Sequence, residues 1–284
     1  MKTLMTLGIL LTMKDRFSPK VDRASRQLKS FNKAAERTKQ MMTGLGTVAL
    51  GSGAAITGMV KQTLGSYQEL SSAQGEIKSL GINTDGIRVI SEEAVRFSNQ
   101  FAGTTAPQFV RASYQIKSGI SSLSNAGVAE FTRLSALTGK ATLSSTEQMT
   151  SLFATGYGIY RKQFESYGRE HIKGWDKLTK EQKDIKFAET FASGIAGAVQ
   201  AFKTNGIQMQ SAIEGLGAAA TTSNVPLKEQ LAILGQLQKT KSGSESATMY
   251  RAFLSSAVGA GEKLKLNFLD ANKQLKSTPI ILKE

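Results

Sequence analysis

The sequence has no cysteine, one histidine, four prolines and few aromatic residues, only 7% of its 284 positions. Without cysteine there is no disulfide scaffold, thiolate zinc site, iron–sulfur cluster or cysteine nucleophile. With His171 alone, no histidine cluster can bind a metal, and a Ser-His-Asp triad would depend on that one residue. A low aromatic share is also unlike a compact enzyme core. What is plentiful is glycine, 27 residues, and positive charge, +14 overall. The length suits one or two globular units with a real core and no staples.

Half of the charge excess lies in one short segment. Residues 1–40 carry ten basic side chains (Lys2, Lys14, Arg16, Lys20, Arg23, Arg26, Lys29, Lys33, Arg37 and Lys39) against Asp15, Asp22 and Glu36. Such an arm fits nucleic acid, anionic lipid or an acidic protein surface equally well. Before it, residues 1–13 form an apolar segment. Lys14-Asp15-Arg16 follows where a secretory signal would place small residues, so a short buried strand or helix is expected instead.

From Phe17 the apolar side chains Phe17, Val21, Ala24, Leu28, Phe31, Ala35 and Met42 keep alternating spacings of four and three, with Thr38 filling the one polar step. That period gives a narrow seam. A basic heptad helix over 14–42 fits it, as a self-association helix or as an amphipathic helix packed on its own domain. Residues 40–60 then carry no charge at all. At about 1.5 Å per residue they would just cross a hydrocarbon core of about 30 Å. Gly44, Gly46, Gly51, Gly53, Ala54 and Gly58 supply small faces for close helix packing, which is the preferred use of a Gly/Ala-rich helix at 43–66.

Beyond it the pattern is of short amphipathic helices. Asp85 is expected to cap one with Ile87, Ile90, Ala94, Phe97 and Phe101 on its face. Pro107 opens the next, facing inward through Phe109, Ala112, Ile116, Ile120 and Leu123. Val128, Phe131, Leu134 and Leu137 mark a third, and Ser144 to Glu147 reads as a capping box for a fourth. Residues 161–183 are charge-rich and are expected to be a connection between a first helical half, 67–160, and a second, 184–262. Thr179 to Gln182 is a further capping box, ahead of Ile185, Ala188, Phe191, Ile195, Ala198 and Phe202. Helices are expected near 207–221, 227–239 and 245–260. Alternation at Leu264, Leu266 and Phe268 predicts a small β-hairpin in 263–284, which ends as though truncated. The fold class is mostly α: extended N-terminal helices, then a bundle of short helices in two halves.

Catalytic motifs fail on spacing. Gly44-Leu-Gly46-Thr-Val-Ala49 has the letters of a dinucleotide fingerprint, but a basic helix and not a strand precedes it. Gly139-Lys140-Ala-Thr142 lacks the upstream glycine of a phosphate loop. Glu92 and Glu93 are adjacent, so a helix turns them about 100° apart. His171 sits in the most polar segment, as a surface histidine would. No cofactor, metal or enzymatic activity is expected. The basic arm has no aromatic stacking platform, which leaves only non-specific phosphate contact.

Several long blocks resemble one known family. They are Gln74 to Gly81; Phe97-Ser98-Asn99 with Ala102 to Thr105 and Pro107; Ala112-Ser113-Tyr114 and Ile116 to Ile120; Thr138 to Thr142; Ala201 to Thr204; Gly217 to Thr221; Glu229 to Gly235; Tyr250 to Leu254; and Asp270, Leu275 and Pro279 to Leu282. In this order they resemble the core region of phage tail tape measure proteins, and the N-terminal layout is similar too. The resemblance implies a structural virion protein in the tail-tube lumen that takes part in tail assembly and length determination and leaves at DNA ejection. It also implies host cytoplasm as the place of assembly. The partners implied are a homo-oligomer (trimer or hexamer), the tail tube protein, tail assembly chaperones and the tail tip or baseplate. Non-specific DNA and a transient membrane contact through 40–60 are further expectations, and a membrane-active helical protein is the alternative reading. Members of that family are usually much longer. Fully helical, this chain would reach only about 43 nm, so a fragment of a longer protein is expected.

Overall fold

Six polar residues set where the helices begin. Asn83, Thr105, Ser124, Ser145, Thr179 and Asn205 each precede a helix in extended conformation and accept a hydrogen bond from the backbone N–H of its third residue. At Thr105, Ser145 and Thr179 a glutamine side chain returns the bond, completing a capping box. A computed structural model describes residues 64–264 as helices α1 (Leu64–Lys78), α2 (Thr84–Gln100), α3 (Ala106–Gly119), α4 (Asn125–Ala141), α5 (Thr146–His171), α6 (Lys180–Phe202), α7 (Gly206–Leu216), α8 (Ala219–Thr222), α9 (Leu227–Leu237) and α10 (Gly243–Leu264). A single 3-10 turn, Trp175–Lys177, joins α5 to α6.

Two helices run through the middle. In α4 every residue from Phe131 to Gly139 is buried, and in α6 every residue from Phe191 to Ala198. A one-sided apolar stripe would not allow this. The polar residues of α4 instead satisfy themselves: Thr132, Ser135 and Thr138 each donate to the carbonyl four residues back, at 2.8, 2.7 and 2.7 Å. That local bond lets a hydroxyl be buried at little cost. Around these two helices the buried side chains form one cluster from Ala73 to Leu254. Its aromatic heart is Phe153, Tyr157, Phe164, Phe187 and Phe191, in edge contacts such as Phe153–Phe191 at 5.2 Å and Tyr157–Phe187 at 5.6 Å.

The bundle has two ends. At one, Asn125 donates to Asn83 at 3.2 Å, and Ser124 donates to Glu181, so α2, α4 and α6 all start there. At the other, Lys140 donates to the Ala102 carbonyl, Thr104 bonds Thr146 at 2.8 Å, and Gly206 N–H donates to the Thr142 carbonyl at 3.0 Å. α3, α5 and α7 start at that second end. A short turn and a 3.0 Å bond from Gln74 to Ser91 make α1 and α2 an antiparallel pair.

The helix faces expected from spacing are the buried ones: Ile90, Ala94 and Phe97; Phe109, Ala112 and Ile116; Val128, Phe131, Leu134 and Leu137. Four local expectations are corrected. Asn83, not Asp85, caps α2, and Asp85 lies in its first turn, where a carboxylate favours the helix dipole. The capping box of α5 is Ser145 with Gln148, one position later than Ser144 with Glu147. The charged segment 161–183 is largely helical: α5 runs unbroken through 160 to His171, and Trp175 is 2% exposed. Leu264, expected in the hairpin, is the last residue of α10. Residues 265–284, where the rest of the hairpin was expected, lie outside the described residues, and among those there is no strand. The segments 1–13, 14–42 and 43–63 also lie outside them.

Candidate functional site

The densest polar cluster sits where α5, α6 and the 3-10 turn meet. Glu165 accepts from Arg161 Nη1 at 2.9 Å, Trp175 Nε1 at 2.9 Å and Lys183 Nζ at 3.2 Å, with Arg169 at 3.7 Å. The Arg161 hydrogen bond, with those from Trp175 and Lys183 against the cost of burial, holds its carboxyl down at about 2. Asp184, almost wholly buried, takes Arg161 Nε at 2.5 Å and the Tyr157 hydroxyl at 3.1 Å. Burial, then the Asp184 charge, raises the Tyr157 hydroxyl above its ordinary value. Each carboxylate here is tied to a cation. The cluster clamps α5 to α6. The other charged side chains of 161–183 are mostly exposed, among them Lys162, Glu170, Lys173, Asp176, Lys177 and Lys180.

A second charged row crosses α2, α4 and α6. Arg96 reaches Glu93 at 2.9 Å, Arg133 chelates Glu130 at 2.8 and 2.5 Å, and Lys186 reaches Glu189 at 2.8 Å. Burial raises the Glu93 carboxyl against the pull of Arg96 and Arg133. Burial lowers Arg133, but the Glu130 hydrogen bond and charge outweigh it and raise it overall. The pairs run three residues along each helix, so they neutralise the row within its own helices. Glu92 turns away to Arg88 at 3.0 Å, as adjacency on a helix requires.

His171 is exposed at the end of α5, stacked on Tyr167 with ring centroids 4.4 Å apart, and borders a shallow open depression lined by residues 169–177. No carboxylate orients it as a base; the 3.8 Å approach of Glu170 is between exposed side chains. Gly139 and Lys140 lie at the C-terminal end of α4, the wrong end of a helix for phosphate. Among the described residues there is no group of three histidine, aspartate or glutamate side chains that could hold a metal, and no helix long and apolar enough to cross a membrane.

The residues expected to carry oligomerisation (Phe17, Val21, Ala24, Leu28, Phe31, Ala35 and Met42) lie outside the described residues. So do those expected to carry close packing or membrane contact (Gly44, Gly46, Gly51, Gly53, Ala54 and Gly58). What spacing did not flag is Leu143. It follows α4 with φ of 57°, the left-handed position that glycine or asparagine usually fills, and is 88% exposed. The backbone alone costs about 1–2 kcal/mol for a residue with a Cβ. Ile207, 45% exposed, follows Gly206, whose N–H bonds the Thr142 carbonyl at 3.0 Å. A lone loop leucine has no periodicity, so no sequence signal singles it out.

No curated protein and no solved structure matches the chain. A family model does, over residues 91–284: the phage-related minor tail proteins. The match begins inside α2 and takes in every later helix, so it spans both central helices and both charged clusters. It covers well over half of the sequence, and this chain belongs to the phage-related minor tail protein family.

Proposed function

We propose that this tail protein is a tape measure protein, with a basic arm ahead of a helical core. It lies in the lumen of the tail tube, takes part in tail assembly and in setting tail length, and leaves ahead of the DNA. Host cytoplasm is its place of assembly. The observation that carries the reading is the run of sequence blocks from Gln74 to Leu282 in tape-measure order, which falls largely on the segment matching the minor tail family. Compatible with it are a core whose clustered charges are paired with one another and an arm with ten basic side chains. The role is structural and not enzymatic: Glu165 and Asp184, the carboxylates of the densest cluster, are engaged by cations.

The proposed partners are further copies of the chain, as a trimer or hexamer through 14–42, the tail tube protein, the tail assembly chaperones and the tail tip or baseplate. Non-specific contact with DNA through the arm would weaken steeply with salt. A second reading rests on the uncharged stretch 40–60: a membrane-active protein, or a tape measure segment that touches the host membrane at ejection. Mass spectrometry of purified tails, with electron microscopy of particles from a strain lacking the gene, tests the main reading. The chain should be found in intact tails, and its loss should leave tailless particles or tails of irregular length. Normal tails formed without it would overturn the proposal.

A further inference from the structure

We propose that the open depression at the end of α5 binds single-stranded nucleic acid, with one unpaired base stacked on His171 and the flanking phosphates held by Lys173 and Lys177. Three rings line up along α5. Phe164, Tyr167 and His171 stand 5.3 Å and then 4.4 Å apart between centroids, with interplanar angles of 28° and 10°. Spacings of three and four residues put them on one face of the helix. Trp175 meets the inner ring, Phe164, edge-on at 5.6 Å. The outer ring is also fixed, since His171 Nδ1 donates to the Tyr167 carbonyl oxygen at 3.1 Å. One face of His171 is covered by Tyr167, yet the side chain is 53% exposed and lines the depression. Its other face is open to a planar ring. The depression holds about 480 Å³, within the range of small-molecule sites, so it has room for one nucleotide.

Charge selects the rest of the ligand. Arg169 and Asp176, both in the lining, offset one another at 3.5 Å. Glu170, 3.8 Å from His171, is the one further carboxylate there. Lys173 and Lys177 are exposed and form no ion pair among the described residues, so the lining is net positive. Lys228, 5.6 Å from the centre of the Tyr167 ring, adds positive charge beside the stack. An acidic peptide would use the lysines and leave the ring face empty. A duplex would bring phosphates with its bases hidden in their own stack. An unpaired strand uses both features, because every base has a π-face and every link a phosphate. The basic arm offers charge without a stacking ring, whereas this surface offers the two together. The site does not depend on the tail role and stands or falls apart from it.

The test uses the full chain and a fluorescent strand of about ten deoxyadenosines, followed by anisotropy over a series of salt concentrations. His171→Ala should weaken binding about fivefold or more, the low end of base–aromatic stacking, and His171→Tyr, which keeps a ring, should not. Lys173→Ala with Lys177→Ala should lower the slope of log K against log salt by about 1.4, as two lost phosphate contacts on a single strand imply. Lys78→Ala with Lys241→Ala, which removes equal charge from exposed positions outside the depression, should leave the slope unchanged. All varied side chains are exposed, so folding is not at risk. A strand carrying a photoreactive base separates this site from the arm: after digestion, mass spectrometry should find crosslinks on the peptide that holds His171. Crosslinks confined to the arm, with His171→Ala binding as the parent does, would overturn the proposal. So would equal losses in the two double-lysine variants, which would reduce the contact to net charge. An acidic peptide that displaces the strand as well as unlabelled strand does would also overturn it, and would put a protein on the surface instead.

Discussion

Gly156 and Gly158 lie two residues apart on α5, and replacing each with alanine should move stability in opposite directions. A Cβ at Gly158 meets nothing within 4 Å, and the position is exposed. There the substitution brings only the helix-propensity gain of about 1 kcal/mol. A Cβ at Gly156 would come within 2.7 Å of Phe191 Cε1. That ring cannot retreat, because Phe153 sits at 5.2 Å, Phe187 at 5.5 Å and Tyr160 at 6.0 Å from it, centroid to centroid. Overpacking of this kind costs about 1–3 kcal/mol, which offsets the propensity gain and leaves a net loss of about 1 kcal/mol. The two variants should therefore differ by about 2 kcal/mol, or roughly 4–8 °C in Tm for a domain of this size. Thermal unfolding followed by circular dichroism and by Trp175 fluorescence, the one tryptophan present, measures it. If Gly156→Ala were as stabilising as Gly158→Ala, the packing of α5 on α6 described above would be wrong.

Other expectations follow from the clusters and caps. Trp175→Ala should cost about 3–5 kcal/mol, since it empties a buried site against Phe164 and Gly168 and takes one of its donors from Glu165; chemical denaturation followed by circular dichroism reads it. Glu165 has its folded value depressed from 4.5 to about 2, so its contribution is complete above pH 4.5 and is lost as pH falls toward 2. Glu165→Gln should flatten the acid limb of the stability profile over that window, and an unchanged limb would contradict the clamp. Thr179→Ala removes a capping box and should cost about 1 kcal/mol by urea unfolding. Lys203→Gly, at φ of 56° and exposed, should gain roughly 0.5–1 kcal/mol in the same assay.

The faces of α2, α3 and α4 were readable because Phe, Ile and Leu recur there at helical spacing and little else competes. Cap positions were off by a residue or two for a physical reason. Adjacent polar residues such as Ser144 and Ser145 can both cap, but Ser144 closes the end of α4, its N–H donating to the Gly139 carbonyl at 2.8 Å, and Ser145 is the one that caps α5. Charge density at 161–183 matched the exposed side chains there, but spacing cannot show that Arg161 will be shared between Glu165 and Asp184 across two helices. Nor could it show that α4 is buried all round. Thr132, Ser135 and Thr138 look like a polar face until their hydroxyls are seen bonded to their own helix. The tail family was legible from long ordered blocks, not from any catalytic pattern. Leu143 was not legible at all, since its oddity lies in a backbone angle.

The tape measure reading is tested most directly by length. A helical segment of about 60 residues inserted in frame ahead of Leu64, in the phage or prophage that encodes the chain, adds about 90 Å of helix. Tails measured by electron microscopy should lengthen by a matching increment with their width unchanged. Tails that keep their original length while carrying the enlarged protein would contradict the account.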